Sequence, residues 1–362
     1  MIKGRALAQA AADYARRFSA LPNHFRPLLD IPASSIGLGT YLGSDDERDD
    51  EAYAQALKAA LLGGINLVDS AINYRLQRSE RVIGKVLAQL VAGASLAREQ
   101  VIIATKGGFV PFDGNPSREI EERFIRTGLI RPDEWVESCH CIAPGYLDAM
   151  LEMSRRNLGL ETIDIYYLHN PETQLAAVDR QEFLRRMRAA FELLERKVAE
   201  RKIGVYGAAT WSGYRAAPDA RDYLSLEEMV QLAREVGGPR HHFAVIQLPY
   251  NLAMPEALAH ANQQVGGRSR TLFQAAQELE VGVCVSAALF QGRLTRGLPE
   301  RLRAAFGELR TDAQRAIQFV RSSPGVGVAL VGMRSPAHVR ENLETAGRPP
   351  LSPEEFAALF TE

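Results

Sequence analysis

The stretch Asn66-Leu67-Val68-Asp69-Ser70-Ala71-Ile72-Asn73-Tyr74 decides how the rest of this chain is interpreted. An apolar run that includes Ile65 and ends at Val68 is followed directly by the carboxylate of Asp69, and Tyr74 comes five residues later. An apolar run that ends in a polar residue is typical of a buried parallel strand at its carboxyl end. Many buried strands end in aspartate, so the stretch becomes informative only because the pattern recurs along the chain.

The recurring pattern is a short apolar strand, a polar residue and then a helix. The predicted strands span residues 36–41, 65–68, 101–105, 163–168, 203–209, 243–246, 282–285 and 326–331. Predicted helices span residues 1–19, 45–63, 79–90, 144–158, 181–201, 226–236, 270–279, 311–322 and 337–346, and a short one starts at 353. Strict alternation of strands and helices requires right-handed crossovers and a parallel sheet. Eight such units without a break in composition indicate one closed (β/α)8 TIM barrel rather than an open sheet.

Two segments stand outside the repeated units. Residues 1–35 combine an alanine-rich amphipathic helix with a proline-containing piece that is irregular or a small hairpin, and we expect them to form a cap ahead of a barrel at 36–362. The connection at 107–143, after the third strand, is long, and loops of this length in a compact domain are usually functional. We expect it to form a lid or a pocket wall, with a contact in a homo-oligomer as the alternative.

Composition excludes several classes of protein. The chain has 362 residues, 46% of them hydrophobic, and a net charge of −1, which gives no electrostatic reason to expect nucleic acid or an anionic membrane. No apolar run reaches the roughly 18 residues of a transmembrane helix, and the start lacks the apolar core of a signal peptide. Three cysteines favour a reducing compartment over a disulfide framework, so we expect a cytoplasmic protein.

The motif Cys139-His140-Cys141 suggests a zinc site at first sight. These side chains are too close together to form one tetrahedral site, and no second ligand pair lies nearby in the sequence. We therefore predict no metal. A metal-dependent barrel hydrolase that uses Asp69, His140 and His169 is kept as a minor alternative.

Polar residues at the strand ends of such a barrel meet at one mouth, where barrels place catalysis. The predicted mouth contains Asp69, Tyr74, Lys106, His169, Thr210, Gln247 and Ser286. A phenol is a weak acid with a pKa of about 10, but an adjacent ammonium favours its ionised form and lowers that pKa. A carboxylate would hold that ammonium, and an imidazole would orient a carbonyl. Such a group protonates an oxygen on which charge develops, as when a reduced nicotinamide transfers hydride to a carbonyl.

From Gly37 to about Ala346 the chain resembles the aldo-keto reductases. The resemblance is carried by Gly37-Leu38-Gly39-Thr40, Asp69 with Tyr74, Ala104-Thr105-Lys106, Tyr167-Leu168-His169, Gln247-Leu248-Pro249-Tyr250-Asn251, and Gly332 with Glu341-Asn342. It implies that Tyr74 is the general acid and base, that Lys106 and Asp69 tune it, and that His169 positions the substrate carbonyl. The implied reaction is NAD(P)H-dependent reduction of an aldehyde or ketone, or its reverse. A nucleotide-sensing, non-catalytic regulatory subunit on the same barrel is the alternative.

The resemblance also implies an extended nicotinamide cofactor across the barrel mouth, without a Rossmann domain. The residues matched to cofactor contacts are Gly39, Thr40, Asp69, Thr210, Gln247, Ser286, Leu289, Gly292, Leu294, Arg334, His338, Glu341 and Asn342. Thr210 and Gln247 would face the carboxamide, and Ser286 stands where the family usually has a stacking tyrosine. The loop with Gly292 would cover the pyrophosphate. Arg334 suits a 2′-phosphate, so we expect NADPH, with NADH as the alternative.

Overall fold

The computed structural model describes residues 1–112 and 120–361, with the backbone alone at 120 and 121. The predicted connection at 107–143 therefore lies partly outside the described residues, as does Glu362 at the end of the predicted barrel segment.

Eight parallel strands close into a barrel, which confirms the predicted fold class. In chain order the strands of the molecule are β1 (Phe25–Leu28), β2 (Ile31–Ser34), β3 (Ile36–Gly39), β4 (Leu67–Asp69), β5 (Ile102–Gly107), β6 (Ile163–His169), β7 (Ile203–Ala209), β8 (Phe243–Pro249), β9 (Gln263–Val265), β10 (Arg268–Arg270), β11 (Gly282–Ser286) and β12 (Val328–Gly332). Around the barrel the order is β11-β12-β3-β4-β5-β6-β7-β8, so each of these strands lies beside its neighbour in the sequence.

Apart from the first, the α-helices follow the barrel strands, as the alternating pattern predicts. They are α1 (Ala8–Arg16), α2 (Glu47–Gly63), α3 (Arg78–Ala92), α4 (Pro144–Leu158), α5 (Arg180–Ala199), α6 (Leu226–Gly237), α7 (Glu256–Ala259), α8 (Leu272–Glu278), α9 (Glu300–Ala305), α10 (Asp312–Ser322), α11 (Pro336–Ala346) and α12 (Pro353–Ala358). In α2 the acidic run has its predicted position at the helix start, where Asp46 caps the helix by accepting from the amide of Asp49.

Several strands continue further than predicted, and this matters for the site. The apolar runs were expected to stop before the polar residues, but Asp69, Lys106, His169 and Ser286 are themselves paired within the sheet. The ladder of hydrogen-bonded pairs includes these positions, as in the pair of Lys106 with Tyr167. The polar side chains are thus held by the barrel wall and not by loops.

The N-terminal segment closes the end of the barrel opposite the strand carboxyl ends. β1 and β2 form an antiparallel hairpin, the second of the two predicted alternatives. Leu28 and Ala33 of this hairpin pack in one buried cluster with inward-facing strand residues such as Leu67 and Val328. The predicted helix over residues 1–19 is shorter than expected and spans Ala8–Arg16.

Among the α-helices and strands named above, three short elements were not predicted: the β9–β10 hairpin and the helices α7 and α9. Each is too short to show a periodic pattern. The hairpin turns at Gly266-Gly267, both at positive φ, and a glycine pair between two short segments is a known hairpin signal that could have revealed it. Within the described ranges, no helix is both long enough and apolar enough to cross a bilayer.

Candidate active site

A cavity of about 920 Å³ opens at the carboxyl ends of the barrel strands. The predicted site residues that line it are Gly39, Thr40, Asp69, Tyr74, His169, Thr210, Gln247, Ser286, Leu289, Gly292, His338, Glu341 and Asn342. They come from segments that are far apart in the chain, and the barrel brings them to one mouth. Of the remaining predicted residues, Lys106 is buried and contacts Asp69, while Leu294 and Arg334 lie outside the lining.

Lys106 is held by two oxygen acceptors. Its Nζ donates to Asp69 Oδ2 at 2.6 Å and to the carbonyl oxygen of Ser70 at 2.7 Å. Burial alone would lower the pKa of the Lys106 amine, but the Asp69 carboxylate and the Tyr74 phenol outweigh burial and raise it. The amine is therefore a cation at neutral pH, fixed in position beneath the cavity.

Tyr74 lies between this cation and the cavity. The Lys106 Nζ is 5.0 Å from the centroid of the Tyr74 ring, and the Tyr41 ring packs edge-on at 5.0 Å. Burial raises the pKa of the Tyr74 hydroxyl above its ordinary value, and the Lys106 ammonium opposes this rise. The phenol is protonated at neutral pH, and a positive charge nearby stabilises the phenolate that proton loss would leave.

His169 ends β6 and faces the same cavity. Its ring packs edge-on against Tyr74 at 5.8 Å and against Phe109 at 4.9 Å. Burial, assisted by the Lys106 charge and by His140, holds the pKa of His169 well below its ordinary value. The imidazole is therefore neutral and can donate one hydrogen bond without adding charge to the site.

The second oxygen of Asp69 links the acidic residue to the opposite side of the barrel. Gln247 Nε2 donates to Asp69 Oδ1 at 2.8 Å, so the amide oxygen of Gln247 remains free to accept. Thr210 is buried, and its Oγ1 has no hydrogen-bond partner among the described residues. Ser286, at the end of the next barrel strand, also lines the cavity.

The segment after Thr210 is fixed by a buried carboxylate that the sequence did not single out. Glu172 Oε1 accepts from the amides of Trp211 at 2.7 Å, Ser212 at 3.1 Å and Gly213 at 3.3 Å. Burial raises the pKa of the Glu172 carboxyl, against the effect of these amides. Trp211 lines the cavity with 46% of its surface exposed, so a large aromatic face is available beside the site.

Several groups predicted to contact the far part of a cofactor have partners within the protein. The amides of Gly292 and Leu294, expected to cover a pyrophosphate, donate to the carbonyl oxygen of Leu289 at 2.9 and 3.2 Å. Arg334 Nη1 lies 3.2 Å from both carboxylate oxygens of Asp49. In the described part of the chain, no lysine or arginine side chain lines the cavity. Glu341 does line it and accepts from Thr311 Oγ1 at 2.7 Å.

Several lining residues were missed from the sequence. They include Tyr41, Leu42, Asn73, Asn170, Gln291, Thr295 and Thr311. Tyr41 and Asn73 are next to the predicted residues Thr40 and Tyr74. Their position in the sequence was the only feature that could have identified them as lining residues. Thr311 and Gln314 form a capping box, which marks a helix start but not the direction in which it faces.

The motif Cys139-His140-Cys141 is not arranged as a metal site. Both ring nitrogens of His140 are engaged, Nε2 with the carbonyl oxygen of His169 at 2.7 Å and Nδ1 with Gln174 at 2.8 Å. Across residues 1–112 and 120–361, no group of three or more His, Cys, Asp or Glu side chains is placed to hold a metal ion. All three cysteines are free thiols.

Two curated relatives match parts of this chain. A D-threo-aldose 1-dehydrogenase of a Pseudomonas species is 30% identical over 159 residues, covering 44% of either chain. An NADH-specific methylglyoxal reductase of Escherichia coli is 27% identical over 206 residues, covering 55% of this chain and 54% of the relative. The chain thus spans about half the length of these curated relatives or less.

A solved aldo/keto reductase of Klebsiella pneumoniae, in complex with NADP and acetate, has the same fold. It matches with a TM-score of 0.62 and 22% identity, covering 93% of this chain and 94% of that one. The model of the aldo/keto reductase family matches residues 35–360, which include all eight barrel strands and the rim residues described above. This chain therefore belongs to the aldo/keto reductase family.

Proposed function

We propose that this protein is an NAD(P)H-dependent oxidoreductase that reduces an aldehyde or ketone to an alcohol, or catalyses the reverse reaction. The observation that carries the proposal is the buried contact of Lys106 with Asp69 at 2.6 Å, directly beside the Tyr74 ring and beneath the cavity. A cation fixed next to a phenol makes the phenol a better proton donor, because it stabilises the phenolate left after proton donation.

Each of the four residues has a distinct task in this proposal. Tyr74 donates its hydroxyl proton to the substrate oxygen as the carbonyl is reduced, and takes it back in oxidation. Lys106 stabilises the resulting phenolate, and Asp69 keeps Lys106 in place. His169, neutral because of burial and the nearby Lys106 charge, donates a hydrogen bond to the substrate oxygen and orients it. A reduced nicotinamide, when bound, supplies the hydride.

The cavity has groups that suit such a cofactor. Thr210 Oγ1, buried and without a partner among the described residues, and the amide oxygen of Gln247 can pair with a carboxamide. Thr311 lies at the start of α10 and His338 in the first turn of α11, and helix starts favour phosphate groups. We expect these four residues to hold the cofactor.

NADPH is the cofactor we propose, with NADH as the alternative. Arg334 is the guanidinium that could pair with a 2′-phosphate, but it must first exchange Asp49 for the phosphate. The Klebsiella pneumoniae structure is a complex with NADP, whereas the Escherichia coli relative is an NADH-specific enzyme. The substrate is a small carbonyl compound; Trp211 and Tyr41 favour one with an apolar or sugar-like face.

The test is a carbonyl panel with purified protein. Aldehydes, ketones and aldoses are offered with NADPH and with NADH, and oxidation of the cofactor is followed at the absorbance band of reduced nicotinamide. We expect turnover with at least one class of carbonyl. Tight cofactor binding without turnover on any carbonyl or alcohol would instead support a nucleotide-sensing subunit, for which a tuned phenol and a neutral imidazole have no use.

A further inference from the structure

We propose that His140, from the Cys139-His140-Cys141 motif, is a positioning residue that fixes His169 at the barrel rim through a one-directional chain of hydrogen bonds. The inference rests on the proposed function, in which His169 orients the substrate oxygen. His140 itself does not line the cavity and touches no reacting atom.

The direction of the chain follows from its first member, Arg186 on α5. Arg186 Nη1 lies 2.7 Å from Gln174 Oε1. A guanidinium has only donors, so the atom of Gln174 that faces it must be the amide oxygen. The amide nitrogen of Gln174 then points the other way and donates to His140 Nδ1 at 2.8 Å.

This arrangement determines the tautomer of His140. Because Nδ1 accepts from Gln174, it carries no proton, and the single proton of the neutral ring is on Nε2. That nitrogen is 2.7 Å from the carbonyl oxygen of His169 and donates to it. A second proton on Nδ1 would oppose the Gln174 amide hydrogens, and burial also lowers the pKa of His140 to about 4. The imidazole is therefore a neutral donor of fixed direction.

The His169 carbonyl, which accepts from His140, lies where the backbone turns away from the barrel wall. His169 is the last residue of β6, and Asn170 follows in the left-handed region at φ 46° and ψ 57°. The chain thus leaves the barrel wall immediately after the residue that faces the substrate. Phe109 packs edge-on against both imidazoles at 4.9 Å, so the His169 ring and its carbonyl are held by the same small group.

His140 is in turn held rigidly by the segment opposite. The amide of Cys141 donates to the carbonyl oxygen of Gly108 at 2.9 Å, and the amide of Val110 donates to that of Cys139 at 2.8 Å. Gly108 has φ +148°, and a Cβ there would lie 2.8 Å from the carbonyl oxygen of His169 and 2.9 Å from His140 Nε2. The close approach leaves no room for a larger residue beside the hydrogen bond.

The other end of the chain connects the site to the long connection. Besides Gln174, Arg186 contacts Glu182 at 2.9 Å and donates to the carbonyl oxygen of Asp133 at 2.8 Å. Asp133 of the connection is therefore linked through Arg186 and Gln174 to His140, and His140 makes the contact with the His169 carbonyl. The described part of the connection acts as a fixed support of the rim at this point.

A double-mutant cycle on carbonyl reduction separates positioning from a merely structural role. His140→Leu should lower kcat by about 10- to 100-fold, because small displacements of a positioned group have effects of this size, while the Kd for NADPH is unchanged. His140→Gln, which keeps a donor nitrogen near the Nε2 position, should recover much of kcat. In a His169→Ala background, His140→Leu should lower kcat little further, because the imidazole that the carbonyl contact positions is gone although the carbonyl itself remains. An equal fold-loss in both backgrounds would overturn the proposal.

Imidazole ¹⁵N NMR of the protein without cofactor tests the same chain without any turnover. We expect His140 in the Nε2–H tautomer through neutral pH, and the His169 signals to shift in His140→Gln. If His140→Leu does not fold, Gln174→Met removes the donor to His140 Nδ1. The Nδ1–H tautomer of His140 should then also be observed. An Nδ1–H tautomer of His140 in the unmodified protein would contradict the hydrogen-bond chain.

Failure of the proposed function is distinguishable from failure of this inference. A wild-type protein that reduces no carbonyl would refute the proposed function, while the NMR result would still decide the hydrogen-bond chain.

Discussion

Lys106 Nζ lies 2.6 Å from Asp69 Oδ2, and the two side chains are only 1% and 7% exposed. A charge pair this deeply buried is stable only while both partners are present, since removing one leaves an uncompensated charge in a medium of low dielectric. Burial raises the pKa of the neighbouring Tyr74 phenol, and the Lys106 ammonium of the pair opposes that rise. In the proposed mechanism, stability and catalysis therefore depend on the same two residues.

Lys106→Met should abolish most turnover and also weaken the fold. The Asp69 carboxylate would remain buried without its cation, which costs about 3–5 kcal/mol in the free energy of unfolding. Urea unfolding of Lys106→Met and of the double variant Asp69→Asn/Lys106→Met measures this cost. The double variant should be the more stable of the two, because no unpaired charge remains. Equal stability would mean that the charge is compensated by another group.

The pH dependence of carbonyl reduction follows from two shifted groups. Tyr74 must be protonated to act as an acid, and burial raises its pKa, so protonation is lost only as pH rises above the ordinary phenol range. His169 acts as a neutral donor, and its pKa is well below the ordinary value, so it gains a proton only in strong acid. We expect kcat/KM with NADPH to be flat between about pH 6 and 8 and to fall at alkaline pH. A step near pH 6.5 that disappears in His169→Gln would show that the imidazole titrates normally.

Much of the arrangement of this site was predictable, because in a closed parallel barrel the residues that follow the strands lie at the same end. Asp69, Lys106 and His169 each follow an apolar run, and parallel strands in a closed barrel bring such residues to one rim. Tyr74 was found because it lies near Asp69 in the chain. These inferences needed only local patterns and the topology that alternation implies.

The remaining contacts are set by tertiary packing, which local patterns do not encode. Asp49 and Arg334 are 285 residues apart in the chain, and nothing near either of them predicts the pair. The role of His140 depends on the directions of the Gln174 and Arg186 side chains. The loop amides of Gly292 and Leu294 were expected to cover a pyrophosphate, but the turn they form directs both to the carbonyl oxygen of Leu289.

Cofactor preference can be tested at Arg334. Arg334→Ala should raise the apparent KM for NADPH far more than that for NADH, because only NADPH carries the 2′-phosphate. Asp49→Asn should lower the KM for NADPH, because it weakens the competing ion pair. Arg340→Ala, an exposed arginine on α11, serves as the matched control and should change neither value. Equal effects of Arg334→Ala on both cofactors would remove this role.

The central claim, that Tyr74 donates the proton, is tested most directly by comparing Tyr74→Phe with Tyr41→Phe. Both variants lose one phenolic hydroxyl from the same cavity, and the two rings are 5.0 Å apart. Tyr74→Phe should lower kcat for carbonyl reduction by about 10²- to 10⁴-fold with the Kd for NADPH nearly unchanged, whereas Tyr41→Phe should remain active. Near-full reductase activity of Tyr74→Phe would contradict the assignment.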